Sequence, residues 1–125
     1  MKVSEIMNKA LVVDDDITLK QAAKIMSDRS MGSLIIMRKE SVVGIITERD
    51  VIKNVSDLNK KVSAVMSKNV ITIEANESID NAAQLMNENK IKKLPVMKKG
   101  CLMGIVTSTD VIAHSEDLNE DFLLS

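Results

Sequence analysis

Two threonine–carboxylate pairs at identical spacing are the residues best able to do chemistry in this sequence: Thr47 with Asp50, and Thr107 with Asp110. A hydroxyl three residues ahead of an acid is, in the first instance, a helix cap. The hydroxyl accepts from a first-turn backbone N–H, and the acid favours the positive helix end. The same helix start leaves outward N–H groups where a phosphate could sit, and a carboxylate is a good double acceptor for a ribose diol. The two pairs stand in GIITERD (44–50) and GIVTSTD (104–110), each directly after a short apolar run. Two independent occurrences strengthen the ligand reading over the cap alone.

The elements that must position these pairs are themselves duplicated. Val3, Ser4, Met7 and Lys9 recur as Val62, Ser63, Met66 and Lys68 at an offset of 59. From Ala22 onward the offset is 60: Ala22, Ala23, Met26, Leu34, Met37, Gly44, Thr47 and Asp50 return as Ala82, Ala83, Met86, Leu94, Met97, Gly104, Thr107 and Asp110. The one-residue shift falls between Lys9 and Ala22. A short repeated unit usually cannot bury its apolar face alone, so the pair of repeats is the functional unit.

Each repeat reads as strand, helix, strand, strand, helix. In the first, LVV (11–13) is a short strand; Thr18 then caps a helix whose Leu19, Ala22, Ala23 and Met26 follow the spacing of one buried face. Ser78 with Ile79, Ala82, Ala83 and Met86 repeats that arrangement. SLIIM (33–37) and VVGII (42–46) flank the polar turn RKES as a hairpin, with LPVM, KKG and CLMGIV as its second copy. The last helices run from Glu48 to about Asn54 and from Ser108 to about His114. The expected fold class is therefore α+β, two tandem β-α-β-β-α repeats packed as one pseudo-two-fold module. The expected organisation is repeat 1 at 1–56, linker at 57–61, repeat 2 at 62–114 and a tail at 115–125.

Composition excludes several function classes. A 125-residue chain that is 45% apolar can bury one core, and a net charge of −1 leaves no nucleic-acid footprint. With no Trp or Tyr and only Phe122, aromatic platforms for stacking bases are missing. No apolar run approaches the length of a membrane span, and the N-terminus lacks a signal-peptide core. The single cysteine, Cys101, suits a reducing interior, and cytoplasm is the default location.

Other candidates read blandly. Six of the nine methionines occupy paired repeat positions on apolar faces, where thioethers fill gaps left by missing aromatics. Asp14, Asp15 and Asp16 fit no Ca²⁺-loop pattern and read as an acidic loop. Neither His114 nor Cys101 has partners at zinc-ligand or nucleophile–base spacing, so no metal and no catalytic residue is expected. Pro95 reads as an edge-strand position whose N–H the ladder does not need. Among Lys90, Lys92, Lys93, Lys98 and Lys99, mostly a solvated face, Lys92 and Lys93 are the candidates for an anion. In the acidic, then apolar tail, Phe122, Leu123 and Leu124 could cover an apolar strip.

The tandem strand, helix, hairpin, Gly-h-h-Thr-x-x-Asp and helix, together with the LPV strand at 94–96, resembles a cystathionine-β-synthase-type (CBS) domain pair, or Bateman module. The resemblance runs from about residue 3 to residue 114 and leaves no attached catalytic domain. It implies that Asp50 and Asp110 bind ribose hydroxyls, and that Thr47 and Thr107 meet ribose or phosphate. It nominates Arg49 and Thr109 for phosphate, with Lys92 and Lys93 as basic partners. It places adenine between the first strand and the hairpin opening, at Val12 and Ile71 with Met31 and Ile91. Gly32 and Ser33 stand where the second repeat has Lys92 and Lys93, so the two sites should not be equivalent.

The leading expectation is a non-enzymatic sensor, needing no cofactor, that binds an adenosine-containing ligand in the cleft between the repeats and passes the signal to a partner protein. AMP, ADP, ATP, NAD and S-adenosylmethionine are the candidates. The resemblance further implies a flat, disc-like homodimer. The alternative is a structural dimerisation or interaction module in which both Thr-x-x-Asp sites only cap helices. A small enzyme lacks a nucleophile–base constellation.

Overall fold

The structure, a computed structural model, describes residues 1–114; the expectation for Phe122, Leu123 and Leu124 lies outside the described residues. The chain forms two compact units, each built around a three-stranded sheet. One comprises residues 10–70 and carries Asp50. The other comprises residues 1–9 with the described residues from 71 onward, and carries Asp110.

In the Asp50 unit, β1 (Val12–Asp14) leads into α2 (Leu19–Arg29), then the hairpin β2 (Ser33–Arg38) and β3 (Ser41–Thr47), then α3 (Glu48–Lys53). Helix α2 starts at Thr18 because the capping box closes there: Gln21 N–H donates to Thr18 Oγ1 at 3.2 Å, and Thr18 N–H donates to Gln21 Oε1 at 2.9 Å. The helix buries Leu19, Ala22 and Met26, the periodic face. Strand β1 runs parallel to β2, which pairs antiparallel with β3, so β2 is central. Strand β1 begins one residue later than LVV suggests. The RKES turn is tighter than its sequence implies, since Arg38 pairs with Ser41 and only Lys39 and Glu40 turn.

The Asp110 unit repeats this with β4 (Ile73–Glu74), α4 (Ile79–Asn89), β5 (Lys93–Lys98), β6 (Cys101–Thr107) and α5 (Ser108–Ala113). Ser78 caps α4 by accepting from Asn81 N–H at 3.1 Å, and Ile79, Ala82 and Met86 are buried. Its hairpin turns on Lys99 (φ 51) and Gly100 (φ 78), the doubly positive pair that matches strand twist in a two-residue loop.

Each core is completed by a short arm that the sequence attributes to the other repeat. Helix α1 (Val3–Ile6) buries Val3 and Ile6 in the Asp110 unit, with Leu94, Val96 and Val106. The 3-10 turn Val62–Ala64 buries Val62, and Met66 follows it, in the Asp50 unit with Leu34, Ile36 and Ile46. Backbone bonds fix both arms. Asn8 and Ile105 exchange N–H···O bonds of 2.8 and 2.9 Å, while Ser67 and Ile45 exchange two of 3.1 Å. Leu58 and Lys60 carbonyls accept from Lys20 and Leu19 at the start of α2. The packing therefore changes unit after Lys9 and again after Val70, cutting across the sequence repeats.

The motif glycines are where these arms cross the sheets. A Cβ on Gly104 would lie 2.6 Å from the Asn8 carbonyl oxygen, whereas one on Gly44 would collide with the Met66 side chain. A close backbone approach is what a glycine permits.

Pro95 occupies a strand position whose N–H the ladder does not need, as expected, but that strand is not an edge. It sits fully buried in β5, the central strand, opposite Ile105. Its counterpart Ile35 donates its N–H to the Leu11 carbonyl at 2.8 Å. Proline cannot make that bond, and β4 correspondingly pairs with β5 only from Val96 onward. The ladder has not begun where the missing N–H points. The same register locates the repeat's one-residue shift: Val13 faces Ile36 and Ile73 faces Val96, so the extra residue lies between Lys68 and Ile73.

Among the described residues no helix is long and apolar enough to cross a membrane. Asp15 of the acidic loop is held by Arg38, whose Nε donates to Oδ2 at 2.6 Å; this bond, with that charge nearby, holds the Asp15 carboxyl below its usual range.

Candidate functional site

Both Thr-x-x-Asp segments sit where the last strand of a unit turns into its last helix, and both form complete capping boxes. At α3, Thr47 N–H donates to Asp50 Oδ2 at 2.9 Å, Thr47 Oγ1–H donates to the same oxygen at 3.1 Å, and Asp50 N–H donates to Thr47 Oγ1 at 3.4 Å. At α5 the corresponding distances are 2.9, 2.7 and 3.2 Å. In each unit these bonds to the carboxylate converge on Oδ2, leaving Oδ1 outside the cap. Both aspartates are half-buried, enough to be held and still reachable.

The hairpin opening is brought against these caps by register and by one further bond. Ser33 pairs with Thr47, and Lys93 with Thr107. Glu48 N–H donates to the Gly32 carbonyl at 3.1 Å, and Ser108 N–H to the Lys92 carbonyl at 2.9 Å. Lys93 therefore lies opposite Thr107 and Lys92 is bonded through its carbonyl to Ser108, with Lys92 exposed and Lys93 half-buried. In the Asp50 unit the equivalent places hold Gly32 and a buried Ser33. Arg49 and Thr109, one residue before each aspartate, are both exposed.

Of the residues expected to line adenine, Met31 and Ile91 occupy matching positions. Each is half-buried and donates its N–H to the carbonyl of Met26 or Met86, at 2.9 and 3.0 Å, where the preceding helix ends. Val12 and Ile71 do not match in register. Val12 lies on β1 opposite Ile35 and is 45% exposed, whereas Ile71 precedes β4 and packs on its unit's core. The offset residue before Ile73 and the missing Pro95 N–H account for this difference.

The Asp110 carboxylate sits among opposing influences. Burial alone would raise the Asp110 carboxyl. Hydrogen bonds from the Thr107 hydroxyl and N–H and from the Asn8 side chain outweigh it, helped by nearby His114, and hold the group below the usual carboxylate range. Asn8 Nδ2 donates to Asp110 Oδ2 at 2.7 Å. Sequence reading missed Asn8, although a signal was present. It stands between Met7 and Lys9, which both recur, and is replaced by Ser67 in the copy.

The profile of the family described as "CBS domain" matches this chain twice, over residues 3–57 and 62–117. A 17.7 kDa protein of Acidianus ambivalens is 37% identical over 115 residues, covering 88% of this chain and 70% of that protein. An inosine-5'-monophosphate dehydrogenase of Thermoplasma acidophilum is 31% identical over 112 residues, yet this chain spans only 23% of that enzyme. It likewise spans 38% and 34% of two Methanocaldococcus jannaschii relatives. Among solved structures, the CBS domain pair of protein MJ0100 in complex with 5'-methylthioadenosine and S-adenosyl-L-methionine superposes with a TM-score of 0.83 at 31% identity, covering 90% of this chain and 94% of that one. Two matched segments, two sheets of the same topology and this structural likeness agree: the chain belongs to the CBS domain family, as a tandem pair of CBS domains.

Proposed function

We propose that this chain is a non-enzymatic regulatory module that binds an adenosine-containing ligand at its Thr-x-x-Asp ends and passes that binding to a partner protein. The observation that carries the reading is the pair of capped carboxylates, each with one oxygen outside its cap and a hairpin opening fixed beside it. The MJ0100 domain pair, similar over nearly its whole length, is in complex with 5'-methylthioadenosine and S-adenosyl-L-methionine, which supports the same ligand class here. The roles are those the family resemblance implies. Asp50 and Asp110 accept from ribose hydroxyls, Thr47 and Thr107 hold them, and Arg49 or Lys92 and Lys93 with Thr109 meet the charged part of the ligand. Val12, Met31, Ile71 and Ile91 contribute apolar contact to the base.

Binding acts as a signal only through a difference in affinity between two states of the protein. Self-association belongs to the same reading. In the Asp50 unit a groove of about 480 Å³ is lined by Ala23, Met26, Val51 and Ile52, the last of which is 71% exposed. Sedimentation at several concentrations tests it.

A second reading has its own support, because capping alone accounts for every hydrogen bond that joins each threonine to its aspartate. On that reading the chain is a structural interaction module. A thermal-shift screen with AMP, ADP, ATP, NAD and S-adenosylmethionine separates the two. A stabilising shift lost in the Asp50→Ala, Asp110→Ala double variant supports ligand binding; no shift with any of the five supports the structural module.

A further inference from the structure

The two carboxylates are held by the same cap but not by the same neighbours. Asp110 Oδ2 receives three hydrogen bonds: from Thr107 N–H at 2.9 Å, from Thr107 Oγ1–H at 2.7 Å and from Asn8 Nδ2 at 2.7 Å. Among the described residues, Asp50 Oδ2 receives only the two from Thr47. Asn8 can do this because its backbone is pinned to Ile105, one strand residue beyond Gly104, by a two-bond bridge. Ser67 is pinned to Ile45 in the same way, but among the described residues no hydrogen bond joins its side chain to Asp50. The two arms thus deliver different side chains to the same place.

We propose that Asn8 is the positioning residue that sets the ligand preference of the Asp110 site. The inference rests on the ribose-binding reading of Asp110. A third donor on Oδ2 removes the carboxylate's remaining rotational freedom and directs Oδ1 outward before the ligand arrives. A hydroxyl donor then meets an acceptor already in place, and the ordering of that side chain no longer opposes binding. The ligand chemistry this favours is an intact ribose, whose hydroxyls are the donors. Asp50, anchored by two bonds, discriminates less. The arm that precedes the first repeat in sequence therefore tunes the site of the second.

The experiment uses the full chain and variants Asn8→Ala, Asn8→Ser and Ser67→Asn, each in an Asp50→Ala or Asp110→Ala background so that one site is read at a time. AMP and its 2',3'-dideoxy analogue are titrated by calorimetry, and the Asp110 carboxyl is followed by NMR without ligand. Asn8→Ala and Asn8→Ser are expected to weaken AMP at the Asp110 site about five- to tenfold and the dideoxy analogue hardly at all. Both should also raise the pH at which Asp110 titrates. Ser67→Asn is expected to improve AMP at the Asp50 site by a similar factor. An unchanged AMP-to-dideoxy ratio, or an Asp110 titration unmoved by Asn8→Ala, overturns the role of Asn8 while leaving the function standing. AMP binding indifferent to both aspartates overturns the ribose reading and this inference with it.

Discussion

The Asp50 and Asp110 units share topology, register and cap, and differ where their arms meet their sheets. In the Asp110 unit the arm brings Asn8 to the carboxylate and its backbone oxygen to Gly104. In the Asp50 unit it brings Ser67 and the flexible Met66 side chain. The hairpin openings differ in charge as well, Lys92 and Lys93 against Gly32 and Ser33. Duplication preserved the core and the Thr-x-x-Asp caps and let the residues beside those caps diverge. A ligand site can change its side chains without disturbing a core built from Leu34 or Leu94, both fully buried.

If the cores are equivalent, Leu34→Ala and Leu94→Ala should destabilise similarly, by about 3 kcal/mol each, because both remove a fully enclosed side chain. Chemical denaturation measures both, and a gap above about 1.5 kcal/mol would show that one core relaxes far better, since Leu→Ala penalties vary with local collapse. The glycines should separate next. Gly104→Ala meets backbone and is expected to cost about 3 kcal/mol, whereas Gly44→Ala meets a methionine that can change rotamer and should cost about 1 kcal/mol. Equal losses in thermal melts would contradict the difference in arm packing.

The capping acids come third. Asp50→Ala and Asp110→Ala should each lower stability by about 1 kcal/mol through loss of the box. In calorimetry each should also weaken an adenosine ligand at its own site by about 1.5 to 3 kcal/mol, ten- to a hundredfold. The smallest effect is on pH. Since the folded-state value of Asp110 is depressed, the stability it adds is present above the ordinary carboxylate pKa and is lost as pH falls through the lower folded value. Melting curves between pH 6 and pH 2.5 should show less acid loss in Asn8→Ala than in wild type, after both are normalised at pH 6.

Much of this was legible beforehand, for physical reasons that differ by element. Thr18, Ser78, Thr47 and Thr107 begin helices as expected, since a cap needs only residues three apart. Hairpins followed from apolar runs around polar turns, with bounds off by a residue or two. For Pro95 the unneeded N–H was legible but the central strand was not, because its place in the sheet depends on where a neighbouring strand starts.

Local spacing thus settled which residues cap, which face inward and that the unit is doubled, because capping and helical periodicity act within a few positions of the chain. Only tertiary structure decided that residues 1–9 complete the Asp110 unit and that Val62 and Met66 complete the Asp50 unit. Either apolar arm could satisfy a core in principle. Contacts between residues as far apart as Asn8 and Asp110 are selected by packing and strand register, which no short stretch of sequence contains.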